Sequence, residues 1–175
     1  GIVLLGNKGI LPLSDNIKTI ALFGSGARRT IKGGTGSGDV NVRTFTSVEE
    51  GLEKAGYSII SKKWLDAYDD FINTAKNQYD KEIKRIAKKG AFNALIYLMS
   101  HPFTQPDYKP ISHYEDYPAN AAVYVLCRNS GEGADRKAVK GDYYLSDIEI
   151  DDITSLSKEY DKFILLLNTG NVVDI

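Results

Sequence analysis

Short apolar runs that alternate with helical patterns are the feature that most restricts how this chain can fold. Four runs have the length and apolar character of buried strands: residues 18–23, 57–60, 121–128 and 162–168. Strands that alternate with helices form βαβ units, and these units build parallel sheets. The sequence therefore predicts an α/β domain, a three-layer sandwich whose mostly parallel, doubly wound (flavodoxin-like) sheet carries helices on both faces.

Helical periodicity fills the first half of the chain between these runs. Thr46 or Ser47 can cap a short helix, and Gly56 ends it. From residue 62 to about residue 99, apolar side chains recur at three- and four-residue steps, which indicates an amphipathic helix. Gly90 interrupts this stretch, so we expect two helices there.

The second half contains one further helix. Ser146 and Glu149 have the spacing of a capping box, in which each side chain bonds the other residue's backbone. We assign the apolar side of this helix to Ile148, Ile150, Ile153, Leu156 and Tyr160. Residues 101–120 contain four prolines and are predicted to form a loop.

Composition excludes several classes of protein. The 175 residues include 22 Lys and Arg against 23 Asp and Glu, a balance that offers no broad basic surface for nucleic acid or anionic lipid. No apolar run approaches the ~18 residues of a membrane span. The single cysteine, Cys127, rules out an internal disulfide framework and favours a reducing, cytoplasmic location. His101 and His113 lack ligand spacing, so we predict neither a metal site nor a cofactor.

Doubly wound sheets bind ligands at the carboxyl ends of their strands. Two long polar segments follow predicted strands there, residues 24–39 and 129–142, and a short one spans residues 169–171. The first holds six glycines in sixteen residues, which allows positive φ angles and close approach of the backbone to another group. The predicted site therefore lies in these loops.

Two phosphate-binding motifs are weak matches in the first loop. Gly24-Ser25-Gly26 follows a strand, as in a dinucleotide-binding motif, but Arg29 occupies the position of the third glycine and no helix follows at once. The glycine-rich run of residues 33–38 is followed by Asp39, where a P-loop needs its lysine. A nucleotide-binding domain nevertheless remains an alternative.

Glu132 is the candidate catalytic residue in the second loop. It lies between Gly131 and Gly133, with Asp135 and Arg136 close enough to brace the loop through ion pairs or hydrogen bonds. A solvated glutamate in a surface turn remains the alternative interpretation. Cys127, within a strand, is interpreted as a small buried hydrophobic residue.

Several blocks occur along nearly the whole chain: residues 1–5 with Asn7, residues 11–13, 20–24, 32–39, 130–133, Asp135 with Arg136, residues 140–142 with Leu145, and 165–168 with Gly170. In their order and spacing, these blocks resemble the second domain of glycoside hydrolase family 3.

The resemblance implies a retaining β-glucosidase whose active site lies between a barrel domain and this α/β sandwich. It identifies Glu132 as the general acid/base, Ser37 as a substrate-binding residue, and Asp135 and Arg136 as structural residues of the loop. The nucleophile would be an aspartate of the barrel. The implied substrate is a β-glucoside or oligosaccharide, and a homo-oligomer is compatible.

The chain starts at Gly1 and stops within the apolar residues 172–175, so we expect it to be part of a longer polypeptide. Within that polypeptide, residues 1–175 would form the sandwich domain without its C-terminal part, and residues 1–17 the linker from the neighbouring domain. The isolated chain is predicted to be inactive. The alternative function is a non-catalytic sugar-binding or regulatory module of the same fold.

Overall fold

The structure is a computed structural model that describes residues 1–33, 44–129 and 137–175. The chain divides into two compact units. The first comprises Gly1–Leu65 and Pro110–Ile175, and the second comprises Asp66–Lys109.

A four-stranded parallel sheet is the centre of the first unit. Its strands are β1 (Thr19–Phe23), β2 (Ser58–Ile59), β3 (Ala121–Arg128) and β4 (Phe163–Thr169). Their order across the sheet is β2-β1-β3-β4, and every pairing is parallel. The predicted α/β class and parallel sheet are confirmed, although β2 is only two residues long.

The apolar runs form strands because the interior of the sheet is covered on both faces. Residues 20–23 of β1 and residues 121–126 of β3 are buried, and β1 pairs with β3 from Ile20↔Ala121 to Phe23↔Tyr124. The ring of Phe23 makes edge contacts with Trp64 at 5.2 Å and with Tyr117 at 5.4 Å between centroids. All residues of β4 are partly exposed.

Two capped helices belong to the first unit. α1 (Val48–Lys54) and α4 (Asp147–Glu159) each begin with a complete capping box, Ser47 with Glu50 and Ser146 with Glu149. The chain moves outward from β1 to β2 in one direction and from β3 to β4 in the other. Right-handed crossovers therefore place α1 and α4 on opposite faces of the sheet.

The apolar side that we assigned to α4 is wrong at Ile150, which is 44% exposed. The buried positions of the helix are Glu149, Asp152 and Leu156. Glu149 pairs with Arg128, and the Asp152 carboxylate accepts a hydrogen bond from the backbone N–H of Ile111 at 2.7 Å. Because these polar groups have buried partners, they occupy the inward face that the hydrophobic pattern had given to isoleucine.

Helices α2 (Lys62–Ala87) and α3 (Ala91–Ser100) follow β2, and most of their residues belong to the second unit. Gly90, with φ 145°, separates them as predicted. Within this unit the Tyr79 hydroxyl donates to the carbonyl of His101 at 2.7 Å, and the His101 ring stacks on Tyr97. The exposed large apolar side chains of α3 are Phe92, Leu95, Ile96, Leu98 and Met99.

In the described ranges, no helix combines the length and hydropathy that a membrane crossing requires. Residues 101–120 form the predicted loop, with one 3₁₀ turn at Tyr114–Asp116.

Candidate functional site

The carboxyl edge of the sheet contains the point where the chain order reverses, between β1 and β3. In open α/β sheets, the segments that leave two such strands turn to opposite faces, and ligands bind at the strand ends between them. The segment after β1 runs to α1, which begins at Val48, and the segment after β3 runs to α4, which begins at Asp147. Both long loops singled out in the sequence therefore start at this reversal of the strand order.

Gly24 and Gly26 allow the first loop to cross closely over β3. A Cβ on Gly24 would lie 2.5 Å from the carbonyl oxygen of Val125, and one on Gly26 would lie 2.6 Å from a Val125 methyl carbon. Gly24 also has φ +94°, which side chains rarely adopt. The N–H of Gly26 donates to the Val125 carbonyl at 3.0 Å. Chain packing thus explains these two glycines, and the dinucleotide alternative is not needed to account for them.

The Asn168 side chain at the end of β4 holds the same loop from the other side. Its Oδ1 accepts from the N–H of Ile31 at 2.5 Å, and its Nδ2 donates to the Ile31 carbonyl at 3.0 Å. The Cys127 thiol donates to Asn168 Oδ1 at 3.2 Å, and the Cys127 N–H donates to the Ser25 hydroxyl at 3.1 Å. The first loop is thereby fastened to both β3 and β4.

Burial raises the pKa of the Cys127 thiol above its usual range. The thiol is therefore protonated at neutral pH and acts as a hydrogen-bond donor rather than a nucleophile. The structure corrects the prediction of a small buried hydrophobic residue, because Cys127 is partly exposed and its thiol hydrogen-bonds Asn168.

Arg28 connects the first loop to α1. Its guanidinium makes a two-point contact with the Glu49 carboxylate, Nε to Oε2 at 2.6 Å and Nη2 to Oε1 at 3.1 Å. The side chains are 23% and 11% exposed. Thr30 adds a neutral contact, because its hydroxyl accepts from the N–H of Val48 at 2.9 Å.

Arg128 connects the second loop to α4 in a similar way. Its Nη2 lies 2.5 Å from Glu149 Oε2, with the side chains 11% and 10% exposed. The same guanidinium donates to the backbone carbonyls of Cys127 at 3.0 Å and Asp142 at 3.4 Å. Asp142 in turn accepts from the N–H of Lys137 at 2.8 Å. Arg128 therefore joins the start of this loop to its end and to α4.

The four residues predicted for the site, Ser37, Glu132, Asp135 and Arg136, lie outside the described residues, in segments 34–43 and 130–136. Their roles remain predictions. The structure does describe the residues that flank them, from Gly24 to Gly33, Asn129, and Lys137 onward. These flanks start or end at the same edge of the sheet.

The anchoring residues were missed in the sequence, although a signal for them existed. Arg28 and Glu49 are 21 residues apart, and so are Arg128 and Glu149. Arg28 follows β1 and Arg128 is the last residue of β3, and in both cases the glutamate lies in the first turn of a serine-capped helix. A repeated strand–Arg–loop–Ser–Glu pattern could have identified both anchors.

Comparisons with known proteins agree with this architecture. Residues 2–175 match the family described as glycosyl hydrolase family 3 C-terminal domain. A solved structure, β-glucosidase 3B from Thermotoga neapolitana in complex with glucose, is 36% identical over 99% of this chain and 23% of its own, with a TM-score of 0.69. A β-glucosidase from Paenibacillus barengoltzii shares the fold with a TM-score of 0.71 at 24% identity, covering 99% of this chain and 18% of that protein.

Two curated relatives also match nearly the whole chain with a small part of their own length. A β-glucosidase from Ruminococcus albus is 31% identical over 100% of this chain and 17% of its own length. β-Glucosidase A from Butyrivibrio fibrisolvens is 28% identical over 99% of the chain and 22% of its own length. The chain thus spans about a fifth of the length of these relatives. With the family match extending over residues 2–175, the chain belongs to glycosyl hydrolase family 3, as the C-terminal domain of that family.

Proposed function

We propose that this domain supplies the general acid/base, Glu132, to a retaining β-glucosidase whose nucleophile lies in a barrel domain outside these 175 residues. Ser37 contacts the sugar in this proposal, and Asp135 with Arg136 braces the loop that carries Glu132. Residues 1–17 serve as the linker to the neighbouring domain. They contain no helix or strand, and the side chains of Ile2 to Leu5 are strongly exposed.

One observation carries the proposal: both loops that contain these residues are fastened at one edge of the sheet. Asn168 holds the first loop through Ile31, and Arg128 holds the two ends of the second loop through Cys127 and Asp142. An acid that must reach a sugar on another domain needs a loop with fixed ends, since small displacements of a catalytic group cost rate.

The chemistry requires two carboxyl groups about 5–5.5 Å apart across the glycosidic bond. One attacks the anomeric carbon, and the other first protonates the leaving oxygen and later deprotonates the incoming water. The acid must keep its proton near neutral pH, so its pKa has to be raised by burial or by the neighbouring carboxylate. Glu132 has the carboxyl group that this role requires. Packing of its loop against the barrel domain would desolvate this carboxyl group.

The direct test is Glu132→Ala in a full-length enzyme that contains this domain. We expect kcat on an unactivated disaccharide to fall by about 10²–10⁴-fold, and azide to restore part of the rate on a substrate with a good leaving group. Glu53→Ala, which removes an exposed glutamate of α1, is the matched control and should leave the rate unchanged. Near-normal hydrolysis of the disaccharide by Glu132→Ala would overturn the assignment.

The isolated 175-residue chain tests where the nucleophile lies, and the full-length enzyme separates the catalytic proposal from the alternative of a sugar-binding module. It should hydrolyse no aryl β-glucoside, because it lacks the proposed nucleophile. A full-length enzyme in which Glu132→Ala alters glucose affinity but not kcat would favour the binding module. Turnover by the isolated chain that Glu132→Ala abolishes would show that the nucleophile lies within these residues.

A further inference from the structure

An open pocket lies at the opposite, amino edge of the sheet, away from the loops of the proposed active site. It has a volume of about 490 Å³ and is lined by Tyr114, Glu115, Tyr117, Pro118, Ala119, Glu159 and Tyr160. These residues precede β3 or close the end of α4 before β4 begins. The volume falls within the usual range for small-molecule sites.

The aromatic lining of this cavity is held in place before any ligand arrives. The Tyr160 hydroxyl donates to the carbonyl of Tyr117 at 2.9 Å, and the Tyr114 hydroxyl donates to the carbonyl of Ile111 at 2.9 Å. The Tyr117 ring packs edge-on against the buried Phe23. Fixed aromatic side chains lower the ordering cost of binding.

The charge of the lining is negative. Glu115 and Glu159 contribute carboxylates, and no lysine, arginine or histidine belongs to the lining among the residues that the structure describes. The nearest histidine contact is His113, whose Nδ1 lies 3.3 Å from Glu115 Oε1 with both side chains about three-quarters exposed. Carboxylates next to tyrosine rings attract organic cations, because the ring faces carry negative charge density.

We propose that this cavity binds a small organic ammonium ion. The tyrosine rings contact the alkyl groups, and Glu115 and Glu159 neutralise the charge. The site does not involve Glu132, so this proposal is tested independently of the proposed catalytic function.

The test is a titration of the 175-residue chain with choline at constant ionic strength, followed by calorimetry and by the backbone amide NMR signals of Glu115 and Ala119. We expect saturable binding in the millimolar range. The neutral isostere 3,3-dimethyl-1-butanol should bind at least about tenfold more weakly, because it keeps the shape and lacks the charge.

Paired variants test the residues. Glu115→Gln with Glu159→Gln should abolish choline binding, while Glu53→Gln with Glu82→Gln, two exposed glutamates outside the cavity, should leave it unchanged. Tyr114→Phe, which keeps the ring, should also bind. Equal binding of the isostere, binding of glucose in place of choline, or no shift of these amides at saturating choline would each overturn the proposal.

Discussion

The two edges of the sheet are fastened by different chemistry. At the carboxyl edge, two arginine–glutamate pairs, Arg28–Glu49 and Arg128–Glu149, tie long loops to the helices that follow. At the amino edge, neutral groups dominate: the Asn120 side chain accepts from the N–H groups of Lys18 and Thr19, and Tyr160 donates to a backbone carbonyl. The long loops at the carboxyl edge thus have charged anchors, whereas the connections at the amino edge are held by neutral hydrogen bonds.

The two charged anchors also differ from each other. In α1, Glu49 pairs with Arg28 while the next residue, Glu50, completes the capping box. In α4, one residue does both, because Glu149 Oε2 accepts from Arg128 and from the N–H of Ser146 at 2.8 Å. The second loop therefore depends on a single carboxylate, and the first distributes the same tasks over two.

Glu149→Ala should have the largest effect of all. It leaves the buried Arg128 without its carboxylate and removes one half of the capping box of α4, so we expect the free energy of unfolding to fall by about 3–5 kcal/mol. Denaturant titration measures this loss, and Glu149→Gln, which keeps an oxygen acceptor, should lose less. A loss below about 1 kcal/mol would mean that the pair does not anchor this loop.

Gly24→Ala tests the crossing of the first loop over β3. The added Cβ meets the Val125 backbone and φ is +94°, so we expect a loss of about 2–4 kcal/mol in denaturant titration. Gly56→Ala is the matched control, because Gly56 has φ +93° and no atom within 4 Å of the added Cβ. It should cost about 1 kcal/mol, the strain alone. Equal losses at the two positions would refute the close crossing.

Glu49→Ala should destabilise the protein less than Glu149→Ala. The capping box of Ser47 and Glu50 remains intact, and Arg28 is 23% exposed, so water can solvate part of its charge. We expect a loss of about 1–3 kcal/mol in the same assay. The ranking of the two variants is the informative result, and a greater loss for Glu49→Ala would reverse the comparison.

The dependence of stability on alkaline pH tests the Tyr160 contact at the amino edge. Burial raises the pKa of Tyr160 to about 12, whereas an unfolded tyrosine titrates near pH 10. The folded state therefore binds this proton more tightly, and the stability that it contributes is complete below about pH 10 and is lost as pH rises towards 12. The free energies of unfolding of the wild type and Tyr160→Phe should converge between these pH values. A constant difference across this range would contradict the assignment.

The sequence by itself determined the secondary structure and the fold class. The run of residues 121–128 became β3 without change, both serine caps formed, and Gly90 separated α2 from α3. These outcomes depend on local properties: apolar runs between glycines, side chains that bond neighbouring N–H groups, and a residue that tolerates positive φ. The family blocks extended the prediction to the whole chain, and the family match confirmed it.

Only the tertiary structure decided which polar residues face inward. Ile150 lies at a position where helical periodicity predicts burial, yet it is exposed. Glu149 and Asp152 are buried instead, because Glu149 pairs with Arg128 and Asp152 accepts a hydrogen bond from the N–H of Ile111. Asn168 likewise contacts Ile31 across 137 positions of sequence. Periodicity along one element cannot specify such partners, since the free energy of burying a polar group depends on what another part of the chain brings to it.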